Sequence, residues 1–176
     1  MENNNKKIVL GGGCFWCVEA VFALQAGVVR ATCGYAGGDT INPTYEAVSA
    51  GTTGHAEVTE LEYNPAVVSL AEILKTFFAM HNPTSLNRQG NDVGTQYRSV
   101  IYWLDMEQKN AIENFIREAQ KEYTEPIVTE VKMLDRFYRA EAYHQKYFAK
   151  NPNEAYCRLV IAPKVNKFKK DNSNMP

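Results

Sequence analysis

The chain has 176 residues, of which 45% are hydrophobic and 22% charged, as expected for one globular domain with its own core. Its formal net charge of −1 gives no electrostatic basis for binding nucleic acid or a membrane surface. Residues 1–7 lack an apolar signal-peptide core, and no stretch approaches the roughly 18 apolar residues of a membrane helix, so we expect a cytoplasmic protein whose cysteines do not form structural disulfides.

The first half of the chain alternates between strand and helix patterns. Short apolar runs or strict alternation predict three strands, at Ile8–Leu10, Val28–Tyr35 and Glu57–Tyr63. Helical spacing of apolar residues predicts a helix over 14–24, and the capping-box pair Ser69 and Glu72 predicts the start of a second helix. No helix separates the second strand from the third, only a long loop that contains Tyr45.

The second half begins with another long loop. Residues 81–96 are rich in Asn, Gly and Pro, and unstructured loops of this length in compact domains are often functional. The remaining predicted elements are strands over 98–104 and 127–134, a helix after Asp105 and a short helix over 140–150. We expect residues 1–6 and 165–176 to be flexible, because both ends are polar.

The two adjacent strands without an intervening helix favour a mixed sheet over a fully parallel one. Helices packed on such a sheet form a split βαβ arrangement. We see no internal repeat, low-complexity block or linker. The sequence therefore predicts a single domain over residues 1–176, of the α+β class.

Cys14 stands where a glycine turn meets the first predicted helix, in the sequence Gly-Gly-Gly-Cys-Phe-Trp-Cys over residues 11–17. The start of a helix presents unpaired backbone N–H groups and partial positive charge. Both stabilise a thiolate, which is the nucleophilic form of cysteine. We therefore predict that Cys14 is a nucleophile and not a packing residue.

The other three cysteines have different predicted roles. Cys17 would share a helix face with Cys14, so the two could form a redox disulfide or half of a zinc site. A zinc site is disfavoured because the remaining cysteines and the three histidines form no second ligand-spaced pair. Cys33 lies on the apolar face of a strand and is expected to be buried and inert. Cys157 lies in a loop-like stretch, where it is either a second thiol for Cys14 or a bystander.

For several residues, the sequence fits both a structural role and a chemical one. A partly buried Glu57 would have a raised pKa and could donate a proton, although composition alone favours a solvated strand end. Taken singly, the loop residues Tyr45, Asp92 and Tyr97 are ordinary hydrogen-bonding groups. Two aromatic residues next to Cys14 are either core residues or the walls of an apolar slot: Phe15 and Trp16.

Five ordered blocks of sequence together resemble one known family. They are Gly-Cys-Phe-Trp at 13–16, Gly-Tyr-Ala-Gly-Gly at 34–38, Pro-Thr-Tyr at 43–45, Gly-His-Ala-Glu-Val at 54–58 and Gly-Asn-Asp-Val-Gly-Thr-Gln-Tyr-Arg-Ser at 90–99. Over Ile8 to Pro163 the chain resembles the A-type peptide methionine sulfoxide reductases, which act on the S epimer of the sulfoxide. The resemblance implies a ferredoxin-like two-layer α/β sandwich, in agreement with the split βαβ arrangement.

The resemblance implies a role for each candidate residue. Cys14 would attack the sulfoxide sulfur, and Glu57 would protonate the oxygen as it leaves. Three loop residues would bind that oxygen or organise the pocket: Tyr45, Tyr97 and Asp92. Two aromatic residues would contact the substrate methyl group: Phe15 and Trp16.

The resemblance also implies a course for the reaction and its partners. Methionine is released and Cys14 is left as a sulfenic acid, which condenses with a nearby thiol to a disulfide that thioredoxin or another dithiol can reduce. No metal or organic cofactor is required. The expected substrates are oxidised proteins, peptides or free methionine sulfoxide, the expected role is protein repair, and we expect a monomer.

The chain departs from the family pattern in its cysteines. Many members have glycine at the position of Cys17 and two cysteines in a glycine-rich C-terminal tail, whereas this chain has Cys157 alone in that region. We favour Cys157 as the resolving thiol, with Cys17 or a relay of both as alternatives. Two other classes of function are a general thiol–disulfide oxidoreductase using Cys14 and Cys17, and a non-catalytic module that binds oxidised methionine.

Overall fold

The computed structural model describes residues 4–173 and contains, within that range, a six-stranded sheet and a two-stranded hairpin. The strands are β1 Lys6–Gly11, β2 Val28–Ala36, β3 Ala56–Tyr63, β4 Arg88–Gln89, β5 Asp92–Val93, β6 Val100–Trp103, β7 Glu130–Met133 and β8 Phe137–Arg139. The α-helices are α1 Phe15–Phe22, α2 Tyr45–Ser49, α3 Leu70–Met80, α4 Met106–Ala119, α5 Tyr147–Lys150 and α6 Ala162–Asn172. Shorter helical turns cover Thr95–Tyr97, Gln120–Glu122, Ala142–His144 and, as a π-helical turn, Cys157–Ile161. Every helix within residues 4–173 is too short or too polar to cross a bilayer.

The large sheet has the strand order β7-β6-β1-β3-β2-β8. Neighbouring strands are antiparallel except β6 and β7, which are parallel and are connected through α4, as parallel neighbours require a crossover. Along the chain, the central part runs β1-α1-β2-β3-α3-β6, and β3 lies between β1 and β2. The mixed sheet with packed helices confirms the α+β prediction.

The helices cover one face of the sheet and enclose the largest hydrophobic cluster. Leu10 of β1, Leu61 of β3 and Phe77 of α3 belong to it and are fully buried. A smaller cluster that includes Val58 and Val100 lies on the opposite face. Because side chains alternate along a strand, β3 contributes to both clusters. The predicted less polar face of β3 is confirmed, since each of its residues is at most 2% exposed: Glu57, Thr59, Leu61 and Tyr63.

The loops hold more structure than the sequence predicted. The loop over 81–96 contains the β4–β5 hairpin, and β8 precedes the region predicted as a helix over 140–150. That region forms a short helical turn followed by α5 instead of one helix. Strands of two or three residues carry too few side chains for alternation to be read from the sequence.

The C-terminal region also differs from its prediction. The stretch expected to be flexible from residue 165 is helical as far as Asn172. Val165 is 3% exposed, and Lys167 Nζ donates to the carbonyl of Ala79 at 3.0 Å, so α6 is held against α3. At the other end, β1 already begins at Lys6. Residues 1–3 and 174–176 of these predicted ends lie outside the described residues.

Ser69 caps the N-terminus of α3, and both hydrogen bonds of the predicted capping box are present. Its Oγ accepts a hydrogen bond from Glu72 N at 3.2 Å, and Glu72 Oε2 accepts one from Ser69 N at 2.8 Å. We expect Ser69→Ala to lower the free energy of unfolding by about 1 kcal/mol, as measured by urea denaturation. Ser85→Ala removes a hydroxyl without a hydrogen-bond partner within residues 4–173 and is the control. Equal losses in the two variants would contradict the capping role.

Candidate active site

Cys14 is the N-cap residue of α1 and follows the glycine turn at the end of β1. Gly13 has a φ of +91°, a conformation that L side chains rarely adopt, so the turn requires glycine at that position. The Cys14 carbonyl accepts the hydrogen bond of Cys17 N at 3.1 Å, and Cys14 as a residue is partly exposed. The predicted placement at a helix N-terminus is therefore present.

The surroundings of Cys14 favour its thiol form and not the thiolate that the sequence predicted. Burial raises the pKa of the Cys14 thiol well above its ordinary value, and the Cys17 thiol and the Glu57 charge raise it further. The backbone N–H of Trp16 acts in the opposite direction but is outweighed. The pKa of Cys17 is lowered, first by its hydrogen bond with Cys14. At rest Cys14 is therefore a thiol, and it becomes more acidic when Glu57 is neutral.

Glu57 lies beside the start of α1. Its side chain is 2% exposed, and Oε2 accepts a hydrogen bond from the backbone N–H of Phe15 at 3.1 Å. Burial raises the pKa of the Glu57 carboxyl to about 8, against the lowering effect of the Phe15 N–H and with a further increase from the charges of Asp92 and Cys17. A carboxyl group with this pKa is mostly protonated at neutral pH and can act as a general acid.

The three candidate loop residues lie in the same part of the structure as Cys14 and Glu57. Tyr45 is the first residue of α2, Asp92 begins β5, and Tyr97 ends a helical turn. Burial raises the pKa of both phenols, and the charges of Glu57 and Cys14 raise it further. Both tyrosines thus remain protonated hydrogen-bond donors. The charges of Cys14, Glu57 and Asp92 all act on both tyrosines, so the five candidates, from four separate segments, lie close enough to interact electrostatically.

The two predicted aromatic residues differ in exposure. Phe15 is 1% exposed and packs against Tyr35, with ring centroids 5.7 Å apart, so it supports the pocket from below. Trp16 is partly exposed and stacks on Tyr147 at 3.7 Å with an interplanar angle of 4°. Of the two, only Trp16 offers an accessible aromatic surface next to Cys14.

His144 belongs to this site although sequence reasoning did not select it. It is fully buried; its Nδ1 accepts the indole N–H of Trp16 at 3.1 Å, and its ring lies 4.4 Å from that of Tyr45. Burial lowers the pKa of His144, so the ring is neutral and Nε2 carries the proton, facing Glu141 Oε2 at 3.3 Å. A lone histidine without a ligand-spaced partner gave no usable sequence signal.

Tyr156 is the second residue that the sequence did not reveal. Its hydroxyl donates to Asp92 Oδ2 at 2.6 Å, and its ring meets the edge of Trp16 at a centroid distance of 5.9 Å. It also contributes to the lowered pKa of the Cys17 thiol. The chain has ten tyrosines, and only the contacts of Tyr156 distinguish it from the other nine.

Cys17 interacts with both of the other candidate thiols. Cys157 is fully buried in the π-helical turn, which corrects its predicted placement in a loop-like stretch. Burial raises the pKa of Cys157, and the charges of Glu154 and Cys17 raise it further. Cys17 and Cys157 share the large hydrophobic cluster, against whose edge Cys14 packs.

Cys33 is fully buried, so the prediction of a buried cysteine is confirmed, and burial raises the pKa of its thiol well above the ordinary value. All four cysteines are free thiols. Within residues 4–173, no three side chains of the His, Cys, Asp or Glu type are placed to hold a metal ion.

A family model described as peptide methionine sulfoxide reductase matches residues 6–175. The peptide methionine sulfoxide reductase MsrA of Nautilia profundicola is 57% identical over 93% of this chain and 94% of the relative. The chain belongs to the peptide methionine sulfoxide reductase family. The A-type resemblance is thereby confirmed, and the protein is an oxidoreductase of this family.

Solved structures of family relatives share the fold. Mxr1 from Saccharomyces cerevisiae in its reduced form is 34% identical, with a TM-score of 0.84 over 89% of this chain and 91% of that one. Mxr1 in complex with Trx2 is similar at 25% identity and a TM-score of 0.60, covering 84% of this chain and 87% of that one. The backbone of this chain therefore follows that of a solved family member over most of its length.

The Tyr156–Asp92 contact gives a direct test of how the C-terminal segment is attached to the pocket. We expect Tyr156→Phe to lower the free energy of unfolding by about 0.5–1.5 kcal/mol, because Asp92 loses a donor but stays partly accessible to water. Urea denaturation measures the change. Tyr147→Phe is the matched control, since the Tyr147 hydroxyl has no hydrogen-bond partner within residues 4–173. No difference between the two variants would contradict the attachment.

Proposed function

We propose that the protein reduces methionine (S)-sulfoxide, free or in proteins, to methionine through attack of Cys14 on the sulfoxide sulfur. The main support is the Cys14–Glu57 pair, a thiol and a buried carboxyl with a pKa of about 8 in one pocket. Sulfoxide sulfur is electrophilic but its oxygen leaves poorly, so a nucleophile and a proton donor must act together. The protein would thereby repair oxidised proteins.

The proposed first step transfers the sulfoxide oxygen to the enzyme. The Cys14 sulfur bonds to the substrate sulfur while Glu57 protonates the oxygen, which Tyr45 and Tyr97 hydrogen-bond. The oxygen then transfers to the Cys14 sulfur as the substrate S–O bond and the new S–S bond break, so methionine leaves and Cys14 becomes a sulfenic acid. The Cys14 sulfur loses two electrons and the substrate sulfur gains them, and the thiol proton restores the Glu57 carboxyl.

The pocket walls would select a sulfur that carries a methyl group. Trp16 provides an accessible aromatic face beside Cys14, and Phe15 fixes the floor beneath it. Asp92, held by Tyr156 at 2.6 Å, keeps the polar side of the pocket in place. These roles follow the family resemblance and are supported by the convergence of the same residues here.

The cysteine contacts support a relay for resolution. The sulfenic acid on Cys14 would condense with the Cys17 thiol to a disulfide and release water. Cys157 would then attack that disulfide, free Cys14 and form a Cys17–Cys157 bond by thiol–disulfide exchange. Both alternatives for the resolving thiol thus become steps of one sequence, supported by the packing of Cys17 and Cys157 in one hydrophobic cluster with Cys14 at its edge.

We also propose a reductant for the final disulfide and a fold assignment for the central sheet. Thioredoxin or another dithiol would reduce the final disulfide, supported by the relative Mxr1 in complex with Trx2. The reaction needs no metal or organic cofactor, and the protein would work as a cytoplasmic monomer. We assign the β1-α1-β2-β3-α3-β6 unit to the ferredoxin-like split βαβ sandwich on the basis of its connectivity.

Single-turnover reduction of the two separated epimers of a methionine sulfoxide peptide tests the proposal, without added reductant. We expect fully reduced protein to consume about one equivalent of the S epimer, as a single oxidised Cys14 allows. Peptide mapping should then find a Cys17–Cys157 disulfide. In Cys157→Ser protein the Cys14–Cys17 disulfide should accumulate, and in Cys17→Ser protein the sulfenic acid should persist and react with dimedone.

Other outcomes identify the competing classes of function. If neither epimer is consumed by fully reduced protein, the binding-module hypothesis replaces the enzyme proposal. If the protein reduces insulin disulfides and ignores sulfoxide, it is a general dithiol oxidoreductase. If Cys17→Ser protein forms a Cys14–Cys157 disulfide at the same rate as the unmodified protein forms its final disulfide, Cys157 resolves directly and the relay is wrong.

A further inference from the structure

A cavity lies behind α1, and none of the residues that line it is a candidate for sulfoxide reduction. It has a volume of about 860 Å³ and is bounded by α1, β2, α5 and α6. Its inner surface is formed mainly by small apolar or aromatic side chains, among them Ala20, Ala23, Ala31, Phe148 and Val165. None of these residues belongs to the site proposed for sulfoxide reduction.

The cavity runs along an open edge of the large sheet. β8 pairs with β2 only from Gly34 to Ala36. At Cys33 the carbonyl accepts Ala140 N, and the side-chain amide of Gln145 bonds both the N–H and the carbonyl of Cys33. Main-chain groups alternate in direction along a strand, so the N–H and C=O of Ala31 point to the same outer edge as those of Cys33. Among residues 4–173, no strand lies beside Ala31 on that edge. An open edge of this kind is a template for strand addition.

Basic side chains surround the open edge. Arg30, Arg139, Lys146 and Lys169 all line the cavity. Arg30 pairs with Glu62 at 2.7 Å, whereas the other three have no carboxylate within ion-pair distance in the part of the chain that the structure describes. This concentration of positive charge is local, because the whole chain carries a net charge of −1.

The one carboxylate that lines the cavity, that of Glu19, is hydrogen-bonded to the main chain. Glu19 is 3% exposed, and both of its oxygens accept the backbone N–H of Lys146, at 2.8 and 2.9 Å. Within the described residues, Glu19 is thus bonded to the main chain and forms no ion pair with the four basic side chains. It fixes the chain at Lys146, whose φ is +55°, and so maintains the wall of the cavity.

We propose that this cavity binds an extended, acidic peptide segment of a partner protein, which adds as a strand to the free edge of β2. The main chain of the segment would hydrogen-bond the N–H and C=O of Ala31. Its inward side chains would be apolar and fill the cavity, while its carboxylates would meet Arg139, Lys146 and Lys169. Main-chain pairing supplies affinity and alternate side chains supply selectivity in such complexes.

The test uses the full chain and a fluorescein-labelled peptide of alternating Glu and Val residues, without methionine or cysteine. We expect saturable binding by fluorescence anisotropy and a shift of the Ala31 amide signal in NMR spectra. The same peptide N-methylated at alternate residues keeps every side chain but loses the donors that pair with β2, so we expect about tenfold weaker binding. Arg139→Glu should weaken binding by about the same factor, and Lys75→Glu on α3 is the matched charge control.

Each alternative outcome is decisive. Equal binding of the N-methylated peptide would show a site for amphipathic anions without strand addition, and the proposal would be wrong. It would also be wrong if no saturation occurred up to about 1 mM peptide, or if Lys75→Glu weakened binding as much as Arg139→Glu. Arg139→Glu should leave reduction of free methionine sulfoxide unchanged, so failure of this proposal is distinguishable from failure of the proposed chemistry.

Discussion

Cys14→Ser protein should show no turnover of methionine (S)-sulfoxide, with the single-turnover rate reduced by roughly 10³-fold or more, as is usual when an enzyme's nucleophile is removed. A serine hydroxyl at the N-cap of α1 is a far weaker nucleophile than a thiol, and it cannot form a sulfenic acid. Because Cys14 is partly exposed and serine is a good N-cap residue, the variant should fold. Mass spectrometry after exposure to the S epimer measures both methionine release and protein oxidation.

A second cysteine variant separates loss of the nucleophile from disturbance of the fold. Cys33→Ala removes a buried thiol whose pKa is raised by burial, and it should retain activity even if its stability falls. Full activity of Cys14→Ser protein would end the proposed mechanism. Loss of activity in folded Cys33→Ala protein would show that the thiol assignments are wrong.

Glu57→Gln is the second variant with a large expected effect, a slowing of the reductive step by roughly 10²–10⁴-fold. The amide keeps an oxygen that can accept the Phe15 N–H, but it has no acidic proton to give to the sulfoxide oxygen. Rapid-quench measurement of methionine formation isolates this step. Glu60→Gln is the matched control, since Glu60 lies on the same strand but bonds Lys7 at 3.0 Å away from the pocket.

The pH dependence of the reductive rate tests more sharply whether Glu57 is the proton donor. With a pKa of about 8, its acid form is lost as the pH rises through 8, so the reductive rate of the unmodified protein should fall above that pH. The alkaline decrease should be absent in Glu57→Gln protein. An unchanged alkaline decrease in the variant would assign it to another group.

The same shift predicts a pH dependence of stability. The pKa of Glu57 rises from an ordinary 4.5 to about 8 on folding, so between these values the native state binds more protons than the unfolded state. The free energy of unfolding should therefore decrease as the pH rises from about 4.5 to 8. Urea denaturation across this range should show a smaller decrease for Glu57→Gln than for Glu60→Gln.

Local patterns in the sequence predicted the central elements well. The period-2 alternation of β3 identified the face that carries Glu57, and the Ser69–Glu72 pair located the start of α3. These features depend on neighbours in sequence, so they can be read without tertiary information. The family resemblance supplied the five polar candidate residues, which lie on a helix start, a short helix, a strand and the segment from β5 to the following helical turn.

The missed features depend on contacts between distant segments. Tyr156 and His144 join the site only because β8 and the turn after it bring residues 137–157 against α1. The helical state of the C-terminal region likewise depends on its packing against α3 and not on an apolar periodicity of its own. The acidity of Cys14 could not be predicted either, because burial and the facing Glu57 outweigh the helix terminus.

The way the pocket is assembled has a consequence for biosynthesis. Its groups come from positions 14, 45, 57, 92, 97, 144 and 156, so no nascent chain shorter than about nine-tenths of the full length can contain them all. A ribosome-bound intermediate therefore has the reactive cysteine long before it has the walls that shield and direct it. Catalytic competence should emerge late and in one step, which makes activity a sensitive reporter of complete folding.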